Sequence, residues 1–315
     1  VSAAPLAIAA AAGHALLLLV SPIFVVGVIN RVKSRWGGRV GPSLHQSWFD
    51  LLRLLRKRPV QSTTASWLVQ LGPLVLLAST LLAGCLTPLA AGWAPVRFDY
   101  DFVAFAYLLG LGRLFLVLAA LDTGSAFEGM GASREAQYAT FVEPAFFLAV
   151  GSLAALSGET SFAALLTAPE RWTAAAVLAR AGALVALFVT LQVEAARVPV
   201  DDPQTHLELT MIHEVMVLDH SGPDLAAVQY AAAVKLTLCA AVIAALLSPL
   251  PPHASPWLAV PTSLLLTGLV AALVGLIESL IARFRLLALP YYLLVAVLAG
   301  LVSLGVVALT RGPLA

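Results

Sequence analysis

The chain has 315 residues, of which 60% are hydrophobic and only 11% charged, and its mean hydropathy is +0.94. Soluble domains run nearer ~45–50% apolar and ~25% charged; a water-soluble fold of this length has no way to hide so much apolar surface, whereas a bilayer does. The net charge of +1 singles out no strongly charged partner, and no nucleic acid is expected.

Apolar runs of about 20 residues are read as membrane spans. Eight occur, at approximately 5–30, 67–91, 102–122, 138–157, 173–194, 226–248, 257–280 and 288–310. The short alternating segments of a β-barrel are missing from the sequence, so the expected fold is all-α and polytopic, a single membrane domain. The first run has no basic segment before it and reads as a retained helix, not a cleaved signal. Prolines such as Pro73, Pro88, Pro144 and Pro261 fall inside or near the ends of runs, where neighbouring helices in a membrane re-satisfy the freed carbonyls.

The first connection, 31–66, opens with the basic, glycine-bearing turn Arg35-Trp36-Gly37-Gly38-Arg39-Val40-Gly41-Pro42. Its two arginines suit a carboxylate or an acidic partner surface. Residues 43–58 follow as an amphipathic helix: Leu44, Trp48, Leu51, Leu52 and Leu55 recur at helical spacing, while Arg53, Arg56, Lys57 and Arg58 fall mostly elsewhere. Such a helix lies in the membrane interface with its charges at lipid phosphates. It serves either as a topological anchor or as a gate or docking ridge beside a cavity.

Ionisable groups within the runs are the sharpest signal. Arg113, Glu143, Arg180, Lys235 and Glu278 lie inside spans, and Glu194 ends one. Each costs roughly 2.5 kcal/mol or more at mid-bilayer unless paired or hydrated. They form either structural ion pairs or a proton or ion path, and six in one chain favour the path. Cys85 and Cys239 sit in apolar runs as spectator thiols.

The connection 195–225 is the densest in chemistry. Asp201, Asp202, Glu208, Glu214, Asp219 and Asp224 face a single arginine, Arg197, and with Glu194 they read as an acidic funnel suited to proton uptake. His206, His213 and His220 recur every seven residues, roughly 10 Å apart on a helix, too far for neighbours to share one metal. The opening His213-Glu214 lacks the second histidine of a zinc protease motif. With no nucleophile elbow, phosphate loop or dinucleotide fingerprint, a self-contained enzyme is not expected.

Lysine and arginine set the orientation. The connections after spans 1, 3, 5 and 7 hold Arg31, Lys33, Arg35, Arg39, Arg53, Arg56, Lys57, Arg58, Arg134, Arg197, Arg283 and Arg285, against Arg97, Arg171 and Arg311 on the other side. Both termini are therefore expected on the outer side of a cytoplasmic membrane.

Three stretches resemble a known family: Arg35 to Pro42 ahead of the amphipathic helix, EGMGASREAQYATFVEP at 128–144, and EAARVPVDDPQTHLELTMIHEVMVLDHSG at 194–222. The chain resembles the first membrane subunit of respiratory complex I over nearly its whole length, and more closely the counterpart in group 4 hydrogenases of the formate hydrogenlyase and hydrogenase-4 type. The Glu–Arg–Pro–Asp–Pro–Glu pattern of complex I matches Glu194, Arg197, Pro199, Asp201, Pro203 and Glu208. After Glu208 the chain departs from it and carries Asp219-His220-Ser221-Gly222, which puts quinone binding in doubt.

The resemblance implies a subunit beneath a peripheral arm with iron–sulfur clusters and a nickel–iron site, or a quinone-reducing subunit, and beside antiporter-like membrane subunits and lipids. No cofactor is implied on this chain. By position it implies a proton path through Glu128, Glu135, Glu143, Glu194, Asp201 and Glu208. The residues themselves add Asp202, Glu214, Asp219 and Lys235. Arm docking or a cavity wall falls to Arg35, Arg39, Arg197, His206 and His213. A complex I-like quinone-site subunit, a stand-alone ion transporter and a purely structural anchor are the competing readings.

Overall fold

In the computed structural model, residues 3–60, 65–90, 92–167, 172–201, 211–251 and 255–311 are described. Within them eight helices are long and apolar enough to cross a membrane. They are α1 (Ala3–Trp36), α3 (Trp67–Leu86), α4 (Asp101–Asp122), α5 (Ala126–Ser157), α7 (Ala174–Glu194), α8 (Gly222–Leu247), α9 (Pro256–Leu280) and α10 (Leu289–Arg311), with the short α2 (Gln46–Leu55) and α6 (Phe162–Leu165) between them. The protein is an all-α, multi-pass membrane protein.

Two helices exceed their apolar runs by more than four residues. α1 continues to Trp36, carrying Arg31, Lys33 and Arg35 on an extra turn before Gly38 breaks it at φ 68°. α5 begins at Ala126, so most of the expected connection 123–137 is helix. Hydropathy marks where a helix leaves hydrocarbon, not where it ends: Glu128, Arg134 and Glu135 are good helix formers, and the extension is packed. Gly131 lets it approach the carbonyl of Ile212 in the connection between α7 and α8, where a Cβ would stand 2.8 Å away.

α8 is the most buried span and touches α1, α2, α3, α7 and α9. α3 pairs with α4, and α10 packs against both α5 and α7. Little hydrophobic driving force separates helix from helix in lipid, so close approach and buried polar contacts hold them together. Ser303 on α10 shares a hydrogen bond with Ser152 on α5 (2.5 Å) and donates to the Ala179 carbonyl on α7 (2.7 Å), all buried. Gly275 brings α9 against α1, where an added Cβ would meet the Ile29 carbonyl at 2.9 Å.

Candidate functional site

Five charged side chains converge where α4, α5, α7 and α8 meet, whereas buried Arg180 lies apart and donates to the Thr167, Leu166 and Leu246 carbonyls. Arg113 stands nine residues before the end of α4, about 14 Å deep along that helix, and is 8% exposed. Its guanidinium pairs with Glu135 (3.4 Å) and Glu143 (3.0 Å), both on α5, and with Glu194 at the end of α7. Lys235 on α8 reaches the second oxygen of Glu194 at 3.2 Å. Three carboxylates thus meet two cations. Arginine suits the hub because its planar fork serves several acceptors at once.

Local backbone aims Glu194. α7 ends in a Schellman turn: the Ala196 N–H donates to the Val193 carbonyl and the Arg197 N–H to that of Gln192 (2.8 Å), with Ala196 at φ 48°. A non-glycine residue in that region costs about 1–2 kcal/mol. The turn sends the chain back so that Arg197 meets Glu278 of α9 at 3.5 Å, and Lys33 of α1 meets the same carboxylate at 2.8 Å. Gln192 donates to the Val198 carbonyl (3.3 Å) and accepts from the Tyr292 hydroxyl of α10, which pins the turn.

Asp201 is buried and clamps the connection. One oxygen pairs with Arg283 at 3.0 Å; the other accepts the backbone N–H groups of Ile212 (3.1 Å) and His213 (3.0 Å). Arg134 secures the same segment by donating to the Met211 carbonyl at 2.7 Å. Glu128, also buried, accepts the Asp219 N–H at 3.0 Å, while Asp219 itself is exposed. Glu128 lies seven residues from Glu135, about 10 Å along α5. Arg35 and Arg39 are exposed at their turn. Asp202, His206 and Glu208 lie outside the described residues.

Two cavities flank the hub. A small one, about 40 Å³, lies beside Arg113, Glu143, Glu194, Thr190 and Cys239 among mostly apolar walls, and a space of that size has room for on the order of one or two waters. A larger one, about 230 Å³, is lined by Ser47 and Asp50 of α2, by Arg197, His213 and Glu214, and by α1 and α8. Glu143 marks the far side: its side chain is 52% exposed on the outside of the bundle. Of the acidic funnel expected from the sequence, Asp201 is turned inward as a clamp and Glu194 is held in the buried hub by two cations.

Burial pushes the His213 imidazole down to about 4, with Lys235 adding to the effect against the pull of Asp201 and Glu194. Its ordinary value is about 6.5. An unfolded histidine therefore binds a proton that the folded one refuses, so stability rises with pH between about 4 and 6.5 and is lost as pH falls through that window. His213→Gln should remove up to roughly 3 kcal/mol of this dependence. Thermal unfolding midpoints at pH 5 and pH 7.5 check it: they should draw closer together in the variant.

Sequence reasoning kept Arg113 and Glu278 off its list of site residues, although both were visible as charges within apolar runs. Among the described residues no group of three or more His, Cys, Asp or Glu is placed to hold a metal ion.

A polytopic helical membrane protein with a paired, buried charge network and polar space on one side of it is the class these features define. Residues 9–309 match the family model described as NADH dehydrogenase. Hydrogenase-4 component C of Escherichia coli (strain K12) is 31% identical over 288 residues, 90% of each chain. Formate hydrogenlyase subunit 4 of the same organism is 26% identical over 222 residues, 70% of this chain and 71% of its own. A chain in the structure of the membrane-bound sulfane sulfur reductase, an archaeal respiratory membrane complex, has the same fold, with a TM-score of 0.79 over 96% of this chain and 99% of that one at 20% identity. The chain belongs to the NADH dehydrogenase family, as a homologue of the hydrogenase-4 and formate hydrogenlyase membrane subunits, which confirms the resemblance its motifs carry.

Proposed function

We propose that this membrane subunit of a hydrogenase-4- and formate-hydrogenlyase-like oxidoreductase complex anchors a redox arm and conducts protons through its buried charges. The subunit brings no cofactor of its own; iron–sulfur clusters and a nickel–iron site belong to the arm's subunits. Under the positive-inside rule the basic end faces the cytoplasm and both termini face outward. The arm then sits over the turn carrying Arg35 and Arg39 and over the connection after α7. Amphipathic α2, with no buried residue, lies in the cytoplasmic interface.

The observation that carries this reading is the Arg113 hub. It holds one more carboxylate than cations, and a low-dielectric site disfavours that excess negative charge, so the cluster suits a proton that the groups share. Protons enter through the polar cavity, pass Glu214 and neutral His213 to Glu194, and move by way of the water-sized cavity to Glu143. Glu135 and Glu128 offer a branch along α5. Half-exposed Glu143 faces outward, where bare lipid would penalise a carboxylate by several kcal/mol. A neighbouring antiporter-like membrane subunit with polar groups covers it.

The test has two parts. Gentle purification of the tagged chain should bring nickel, iron and iron–sulfur subunits with it; a flavin or quinone without nickel would move the protein to the quinone-site reading, and a stable, partnerless chain to the transporter reading. In the assembled complex, Glu143→Gln should leave arm chemistry intact and lower proton translocation in proteoliposomes at least about tenfold. Full translocation in that variant would overturn the path through Glu143.

A further inference from the structure

We propose that the apolar cavity between α1, α2 and α8 is a binding site for one anionic phospholipid, its acyl chains filling the cavity and Arg56, Lys57 and Arg58 holding its phosphate. None of the hub's charges lines the cavity, and the inference does not rest on proton conduction.

The volume is about 700 Å³, within the range of ~300–1,000 Å³ typical of ligand pockets. Leu19 and Ile23 of α1, Trp48, Leu52 and Leu55 of α2 and Ala227 of α8 are among its walls. The Tyr230 hydroxyl at its edge is already committed, donating to the Leu19 carbonyl at 2.7 Å. The apolar face of α2 therefore looks onto open space instead of packing: Trp48 is 49% and Leu55 56% exposed. Water is a poor filler for so large an apolar void, and hydrocarbon is at hand in the bilayer.

Charge decides which hydrocarbon. Arg56, Lys57 and Arg58 follow directly on Leu55, are exposed, and make no ion pair among the described residues. Arg53, by contrast, pairs with Asp50 at 3.4 Å. A neutral isoprenoid or neutral lipid has no use for three cations left unpaired among the described residues, whereas a phosphodiester does.

The run is also held in place. The Val60 N–H donates to the Ser221 hydroxyl (2.7 Å), which donates back to the Val60 carbonyl (3.1 Å). Gly222, at φ 56°, allows the backbone of Lys57 to Pro59 to lie against the start of α8, where a Cβ would meet the Lys57 carbonyl at 3.0 Å. The positive end of that helix adds to the field. Of the acids nearby, Asp224 interacts with His220 and Asp219 is exposed; the three cations outnumber them.

The complex in nanodiscs provides the test, with brominated-chain phosphatidylglycerol or phosphatidylcholine as minor components in unbrominated lipid. The Trp48 signal is the difference between the native protein and Trp48→Phe. Brominated phosphatidylglycerol should quench it at least about threefold more than phosphatidylcholine at equal mole fraction. Replacing Arg56, Lys57 and Arg58 together by glutamine should bring the two to parity. Ala227→Leu, which narrows the cavity without touching the charges, should reduce quenching by phosphatidylglycerol alone. Native mass spectrometry should find the anionic lipid retained. Equal quenching by both lipids, a preference that survives the glutamine substitutions, or a quinone as the retained molecule would each overturn the proposal.

Discussion

Replacing Arg113 with glutamine is expected to destabilise the protein by about 3–5 kcal/mol, more than any other single change within the spans. The guanidinium is the partner of Glu135, Glu143 and Glu194 at once, and its loss leaves three carboxylates facing one ammonium, that of Lys235, which reaches only Glu194. The measurement is the thermal unfolding midpoint and the yield of assembled complex. Arg113→Lys should recover part of the loss, since one ammonium cannot serve three carboxylates in three directions. Adding Glu135→Gln and Glu143→Gln to Arg113→Gln should recover more, because much of the penalty is stranded charge and not lost contact. If Arg113→Gln alone melts within a degree or two of the native protein, the hub does not exist as described.

Glu194→Gln is expected to have the largest effect on function. Glu194 joins the two cations and stands between the polar cavity and the half-exposed Glu143. Glutamine keeps the shape and a hydrogen-bonding oxygen but cannot take up and release a proton. Arm chemistry with a soluble electron donor should persist, while proton uptake into proteoliposomes falls on the order of 10²-fold. Glu194→Asp should retain measurable translocation, because the titratable group remains. A fully coupled, normally assembled Glu194→Gln complex would falsify the path and leave the network as ion pairs that lock helices together.

Much of this molecule was legible before any fold was known. Arg113, Glu143, Lys235, Glu194 and Glu278 stood out because an ionised side chain inside an apolar run is costly and must be matched. The connection between α7 and α8 declared its importance through its acids, but not its geometry. Asp201 could not be told apart from its neighbours by residue type, yet it clamps the backbone of Ile212 and His213 to Arg283. The N-terminal extension of α5 was misplaced because Glu128, Arg134 and Glu135 lowered the hydropathy of a stretch that remains helical.

The sequence by itself determined that the chain lives in a membrane, that it has eight apolar helices, and which residues bear charge among them. These are local properties, read within windows of about 20 residues. Only the tertiary structure decided that Arg113 meets Glu194, 81 residues away, that Lys33 of the first span shares Glu278 with Arg197, and that Glu143 faces outward. The rotation of each helix about its axis is set by packing against its neighbours, and that packing, through contacts such as Gly275 against Ile29 and Ser303 against Ser152, joins residues far apart in the chain.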